Sequence, residues 1–178
     1  VEIPKIHVYL PVYHTTSAEV LQWGAGHMEG TALPVGGAGN RPVISAHSGM
    51  NRAQMFSDLS DLETGDLFLI HVLDETLTYQ VCDMEVILPE DTQALAPEKD
   101  RDLVSLVTCT PYGINTHRLV VTGERTNETA SEHKTEDKVS STWRHAYLKA
   151  LLLGFGIAGG AGVMIRILSR HRRKVREQ

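Results

Sequence analysis

The chain has 178 residues and a formal net charge of −5, enough for one domain with an appendage. Its charge is unevenly spread. Residues 166–178 carry six basic side chains against Glu177 alone, a balance of +5, so the remainder carries −10. An acidic body lacks the basic face that phosphate neutralisation needs, which excludes a nucleic-acid partner, and a basic tail beside an apolar run points to a membrane instead. Two cysteines, Cys82 and Cys109, with no CxxC spacing, exclude a disulfide framework or a zinc cluster.

The chain begins at Val1 without a Met, as a fragment or a mature form does, and shows no signal peptide. From Ile6 to Val12 apolar and polar residues alternate, a strand pattern, and Pro4 and Pro11 suit its ends or an edge. Ser17 is a helix N-cap candidate, predicting a short helix near 17–24 that Gly24 and Gly26 end. Residues 30–42 are rich in Gly and Pro and read as loop. Pro42 to His47 reads as a buried strand with His47 at its end. Asn51 to Leu62 has apolar residues at helical spacing. Leu67–Leu73 and Thr76–Leu88 read as strands joined by a turn at Asp74-Glu75, with Cys82 as a small buried hydrophobe. Residues 89–101 form a polar connector with room for a helical turn.

Residues 103–121 hold the most informative stretch. A β-favouring run ends at Cys109, a loop with Pro111, Gly113 and Asn115 follows, and Arg118 opens a second run. Strands joined by so short a loop are usually neighbours, so Cys109 and Arg118 are expected at one rim of the sheet. Seven or eight short strands with few helices suggest an antiparallel barrel or sandwich. Residues 125–142 read as a polar linker. The uncharged run Ala150–Ile165 rises about 24 Å as a helix, and snorkelling of Lys149 and Arg166 lengthens it. Trp143 and Tyr147 suit an interfacial belt, and the basic tail places the C-terminus inside and residues 1–142 outside.

A cysteine nucleophile needs a base or a lowered pKa, and a group that stabilises an oxyanion. Cys109, His47 and Arg118 are the candidates, His47 as acid and base and Arg118 as hydrogen-bond donor. Taken singly each has a bland reading: a structural thiol, a solvated imidazole, a rim ion pair. Spacing alone does not bring His47 to Cys109. His117 competes with it, but on a strand it points away from Arg118's face. Asp58, Asp61, Glu63 and Asp66 read as a solvated acidic face, so no metal or other cofactor is expected.

Ser105-Leu106-Val107-Thr108-Cys109, followed by Thr110-Pro111-Tyr112-Gly113-Ile114-Asn115-Thr116-His117-Arg118-Leu119, resembles the TLxTC signature of Gram-positive sortases and its continuation in the pilus-assembling class C group. Val43 to Gly49 resembles the segment bearing that family's histidine, and residues 24–34 and 56–59 are also similar. The resemblance spans roughly residues 2–125. It implies a mainly-β, eight-stranded sortase-type barrel with short helices and a cysteine transpeptidase activity, with Cys109 as nucleophile, His47 as acid and base, and Arg118 as oxyanion or substrate-orienting residue. The implied substrates are an LPxTG-like sorting signal, cut between Thr and Gly through a thioacyl enzyme, and an acceptor amine, a pilin lysine in class C. The alternatives are attachment of proteins to the cell-wall cross-bridge and, from another class, a non-enzymatic surface barrel that binds peptides. Ser105 stands where the motif usually has Thr, and Ser48 where class C enzymes often have Arg. No Asp-Pro occurs in the chain, so the class C lid anchor is expected before Val1 or not at all. The expected organisation is a barrel over 1–125, a linker over 126–142, a membrane helix over 143–168 and a basic cytoplasmic tail over 169–178.

Overall fold

The structure, a computed structural model, describes residues 1–49 and 54–127. The expected membrane helix and basic tail lie outside these residues. Among the described residues no helix is long and apolar enough to cross a membrane, and no group of acidic, histidine or cysteine side chains is placed to hold a metal.

Among the described residues nine strands form one sheet: β1 (Glu2–Ile3), β2 (Val8–Tyr9), β3 (Val12–His14), β4 (Ala25–His27), β5 (Val43–Ser45), β6 (Leu67–Val72), β7 (Glu75–Ile87), β8 (Leu103–Thr110) and β9 (His117–Arg125). Their order is β2-β1-β6-β7-β9-β8-β5-β4-β3. The two outermost strands, β2 and β3, are separated in sequence only by Leu10 and Pro11, so the sheet must curl until its edges approach. This is the mainly-β architecture with few helices that the sequence predicts, with more strands than expected. The run 2–13 does not stay extended. Pro4 opens a 3-10 turn over Pro4–Ile6, and His7 closes it in the left-handed region at φ 54°, which separates β1 from β2, while Leu10 and Pro11 separate β2 from β3.

The strand the sequence does not predict, β4, has no propensity signal at all, since it is Ala-Gly-His. Gly26 sits there because a Cβ would strike the carbonyl of Thr15 on the neighbouring segment. The predicted helix shrinks to α1 (Ala18–Leu21), whose Val20 N–H donates to the Ser17 hydroxyl at 3.3 Å. Of the helix expected over 51–62, the described part forms turns and a 3-10 turn at Leu59–Asp61. Its apolar residues Met55, Phe56, Leu59 and Leu62 are buried all the same, so the periodicity marked core contacts and not a helix. The β6–β7 turn falls at Leu73-Asp74, one residue earlier than expected, with Val72 opposite Glu75. Leu73 takes φ 52° and is 99% exposed.

Two apolar clusters flank the centre of the sheet. Inside the curl, Ile44, Ala46, Phe68, Tyr79, Val104, Leu106 and Val121 pack together. On the other face, Val43, Ile87, Val107 and Val120 form a smaller cluster covered by Met28, Ala94 and Leu95. Burial on both faces explains why β8 is buried without a break from Leu103 to Thr108 and does not alternate apolar with polar. Ala94 and Leu95 belong to the β7–β8 connector, residues 88–102, which includes the expected helical turn as a 3-10 turn at Thr92–Leu95.

Candidate active site

The side-chain period of two along a strand places the candidate residues on the outer face. Val107 and Val120 belong to the outer cluster, so Cys109 and Arg118, two residues beyond each, point the same way. Cys109 and Arg118 are themselves opposite one another in the antiparallel β8–β9 pair, where facing side chains lie on one side with Cβ atoms about 5 Å apart. His117 is opposite Thr110 and falls on the other face. Its ring nitrogen Nδ1 shares a hydrogen bond with the Thr116 hydroxyl at 2.9 Å. Ile87 of β7 faces Arg118 from the far side, extending the row into the apolar cluster.

The distance in sequence between His47 and Cys109 is closed by a parallel pairing. β5 lies beside β8 with Val43 opposite Ser105, Ile44 opposite Leu106 and Ser45 opposite Val107. The pairing outlasts the strand: Ala46 N–H donates to the Val107 carbonyl at 3.1 Å and the buried Thr108 hydroxyl donates to the Ala46 carbonyl at 2.8 Å. One step further, the Ser48 hydroxyl donates to the Cys109 carbonyl at 2.8 Å. His47, bracketed by these contacts and in phase with Val43, stands beside Cys109 on the outer face. Cys109 of β8, Arg118 of β9 and His47, two residues past the end of β5, thus line up at one end of the sheet. All three are half-buried, reachable by a substrate yet backed by the core.

The loops at this end are held by specific contacts. The His47 carbonyl accepts from Phe56 N–H at 3.0 Å, and Gly49 N–H donates to the Ser57 hydroxyl at 2.9 Å. Gly49 has φ +77°, and the ring of Tyr112 occupies the space a Cβ would need, 2.5 Å from that position. Glycine is required there on both counts. Tyr112 belongs to the β8–β9 loop, which the Pro111 carbonyl tightens by accepting from Ile114 and Asn115 N–H at 3.0 and 2.9 Å. The Thr110–Pro111 peptide is cis, and Asn115 takes φ 63°. One terminal nitrogen of Arg118 donates to the carbonyls of Asn115 and His117 at 3.1 and 2.9 Å. That leaves Nε and the other terminal nitrogen to donate elsewhere. A thiol, an imidazole and a guanidinium with unspent donors make a set suited to acyl transfer.

Cys82 departs from expectation. It sits at a β-bulge, where the β7–β9 register shifts between Val81 and Asp83, and is half-buried, not buried. Its thiol lies 3.4 Å from the Thr122 carbonyl, and burial pushes its pKa up despite the opposing effect of Arg101. Both cysteines are free thiols. Ser48, Gly49 and Tyr112 lie within the family-like segments, but nothing in the sequence gave their contacts, which exist only because two loops converge.

A family model described as Sortase domain matches residues 1–126. The chain is 28% identical over 127 residues to Sortase D of Bacillus subtilis, an alignment covering 70% of this chain and 61% of that protein. It spans a little over half the length of the curated relatives it matches. Among solved structures, sortase C-1 from Actinomyces oris is 50% identical with a TM-score of 0.70, covering 71% of this chain and 70% of that one. A Streptococcus pneumoniae sortase C, whose structure is described as bearing on catalysis and pilin substrate specificity, is 46% identical with a TM-score of 0.70, covering 72% and 68%.

Proposed function

The chain belongs to the sortase family, and from that premise we propose that it is a cysteine transpeptidase that joins sorting-signal proteins to an amine. The observation that carries this reading is the row of Cys109 on β8, Arg118 opposite it on β9, and His47 just past the end of the neighbouring β5. The Cys109 thiolate attacks the carbonyl carbon of the Thr–Gly bond in an LPxTG-like signal, and Arg118's unspent donors stabilise the oxyanion that forms. His47 protonates the departing glycine amine as the C–N bond breaks, leaving a thioacyl enzyme. An incoming amine then attacks the thioester carbon and loses its proton to His47. The C–S bond breaks, the new amide is released, and the Cys109 thiolate and protonated His47 are restored.

The amine most in keeping with the sortase C neighbours, one of them described by its pilin substrate specificity, is a pilin lysine, which makes this a pilin polymerase. Residues 143–168 anchor it in the membrane with the catalytic domain outside, on the strength of the apolar run and the basic residues after it. Mass spectrometry of the full chain mixed with sorting-signal peptides and candidate acceptors tests the whole reading. A thioacyl adduct on Cys109 and an isopeptide bond to a pilin lysine are expected, both lost in Cys109→Ala. Transfer to cross-bridge amines alone would replace the pilin assignment, and cleavage that survives Cys109→Ala would sink the enzyme assignment. Protease access to residues 1–127 from the outside of intact cells tests the orientation.

A further inference from the structure

Arg41 lies in a Gly- and Pro-rich loop, where a charged residue is ordinarily solvated, yet it is 7% exposed. It has no ion-pair partner among the described residues. Its guanidinium is spent on three neutral acceptors. Nε donates to the Ser105 hydroxyl of β8 at 2.9 Å, one terminal nitrogen to the Thr122 hydroxyl of β9 at 3.0 Å, and the other to the Ala96 carbonyl at 3.0 Å. The first two root Arg41 in the outer face of the sheet, in the same line of side chains that continues through Val107 to Cys109 and through Val120 to Arg118. The third reaches across to the β7–β8 connector, with a cavity of about 500 Å³ alongside.

That third bond has no counterpart. Among the described residues, the other hydrogen bonds of residues 88–97 stay within the segment: Asp91 to Leu88, Thr92 to Glu90, Ala96 to Gln93. The connector's far end is tied separately, by Arg101 to Glu124 at 2.7 Å and by Gly39 N–H to the Arg101 carbonyl at 2.7 Å. Its middle is held by apolar contact of Ala94 and Leu95 with Val43, Ile87, Val107 and Val120, and by Arg41. Hydrophobic contact is non-directional and leaves a segment free to slide, whereas a guanidinium bonded at three points fixes a distance and a direction. A buried cation without a carboxylate is costly to keep, and an apolar side chain would fill the same space.

We propose that Arg41 is a positioning residue. Through the Ala96 carbonyl it sets the height of the connector above the sheet face, and with it how closely the connector approaches Cys109, where the sorting signal would bind. Val107 and Cys109 are two residues apart on one face, about 7 Å, so a connector seated on Val107 borders the candidate site directly. The inference rests on the transpeptidase reading above for its substrate, and on the hydrogen bonds alone for the tether. Arg41→Met keeps the length and removes the bonds. The side chain touches no part of the reacting row, so the effect falls on substrate binding and leaves the chemical step.

The test compares the full chain, Arg41→Met and Arg41→Lys, measuring kcat and KM for an LPxTG-type peptide and amide hydrogen exchange along the chain. In Arg41→Met, KM should rise about tenfold, the factor equivalent to one charge-assisted hydrogen bond, with kcat within about twofold. Exchange should quicken across residues 88–97 and stay unchanged in β8 and β9. Arg41→Lys, which keeps a cation able to reach Ala96, should recover part of both effects. An unchanged KM in Arg41→Met, or unchanged exchange in the connector, overturns the proposal, as does a fall in kcat with accelerated exchange throughout the sheet. If the unsubstituted chain cleaves no sorting signal, the transpeptidase reading fails, and the exchange data still decide whether Arg41 is the tether.

Discussion

Arg118→Ala is the most discriminating substitution in the reacting row. Arginine carries five N–H donors. Two are taken by the carbonyls of Asn115 and His117, both donated from one terminal nitrogen. The remaining three, on Nε and the other terminal nitrogen, are available on the face where Cys109 stands directly opposite. Removing an oxyanion donor of this kind costs about 10²–10³ in kcat, or about 2.7–4 kcal/mol. The two backbone bonds lie at a half-exposed loop, so their loss should cost folding only about 1 kcal/mol. The expected signature is a large fall in the rate of thioacyl formation, followed by mass spectrometry in single turnover, with a melting temperature lowered by a few degrees. Arg118→Lys has three donors on one atom and must share them between the loop carbonyls and the substrate, so it should fall between the two. An Arg118→Ala chain that acylates within about threefold of the parent would refute the assignment. So would a loss of activity matched by loss of the fold.

Gly49→Ala must adopt φ +77° and displace the Tyr112 ring. A cost of about 1–3 kcal/mol in thermal or denaturant unfolding is expected, with slower acylation because the His47 loop is pushed from Cys109. Limited alkylation of the native chain at neutral pH should label Cys109 and spare Cys82, whose thiol is held above its usual range by burial; peptide mapping would show the reverse if the assignment is wrong. Tyr79 is buried, with its hydroxyl donating to Asp102 at 3.1 Å. Burial, and then the Asp102 charge, push its pKa from 10.0 up to about 12. Because the folded state favours the neutral phenol, that stability is fully present below pH 10 and lost as pH rises through about 12. Absorbance titration should show one tyrosine ionising late, and Tyr79→Phe should flatten the alkaline loss of stability.

Much of the site was legible because its information is local. Cys109 and Arg118 flank one short loop, and a short loop between β-favouring runs leaves the chain few choices but to pair them. The face of His117 followed from the period of two alone. His47 was different: its motif named it, but its proximity to Cys109 depends on β5 pairing in parallel with β8 across about sixty residues of sequence. Parallel pairing leaves no turn signature between its strands. The helix expected through Leu62 failed for a related reason. Buried turns and a helix both space apolar residues by three and four, and packing against the core, which no local pattern records, decides between them.

Composition, strand periodicity and the Cys–loop–Arg stretch were enough, by themselves, to predict a mainly-β domain with Cys109 and Arg118 at one rim. They did so because strands alternate and short loops join neighbours, both of which are local physics. Only the tertiary structure decided that the sheet curls with β2 and β3 at its edges, that His47 completes the row, and that Ser48 and Gly49 lock its loops together. The same holds for Arg41, which in sequence is one more cation in a polar loop. Its burial, its three acceptors and its reach to the Ala96 carbonyl arise from segments distant in the chain meeting over one face of the sheet, and contacts of that kind are set by the fold as a whole.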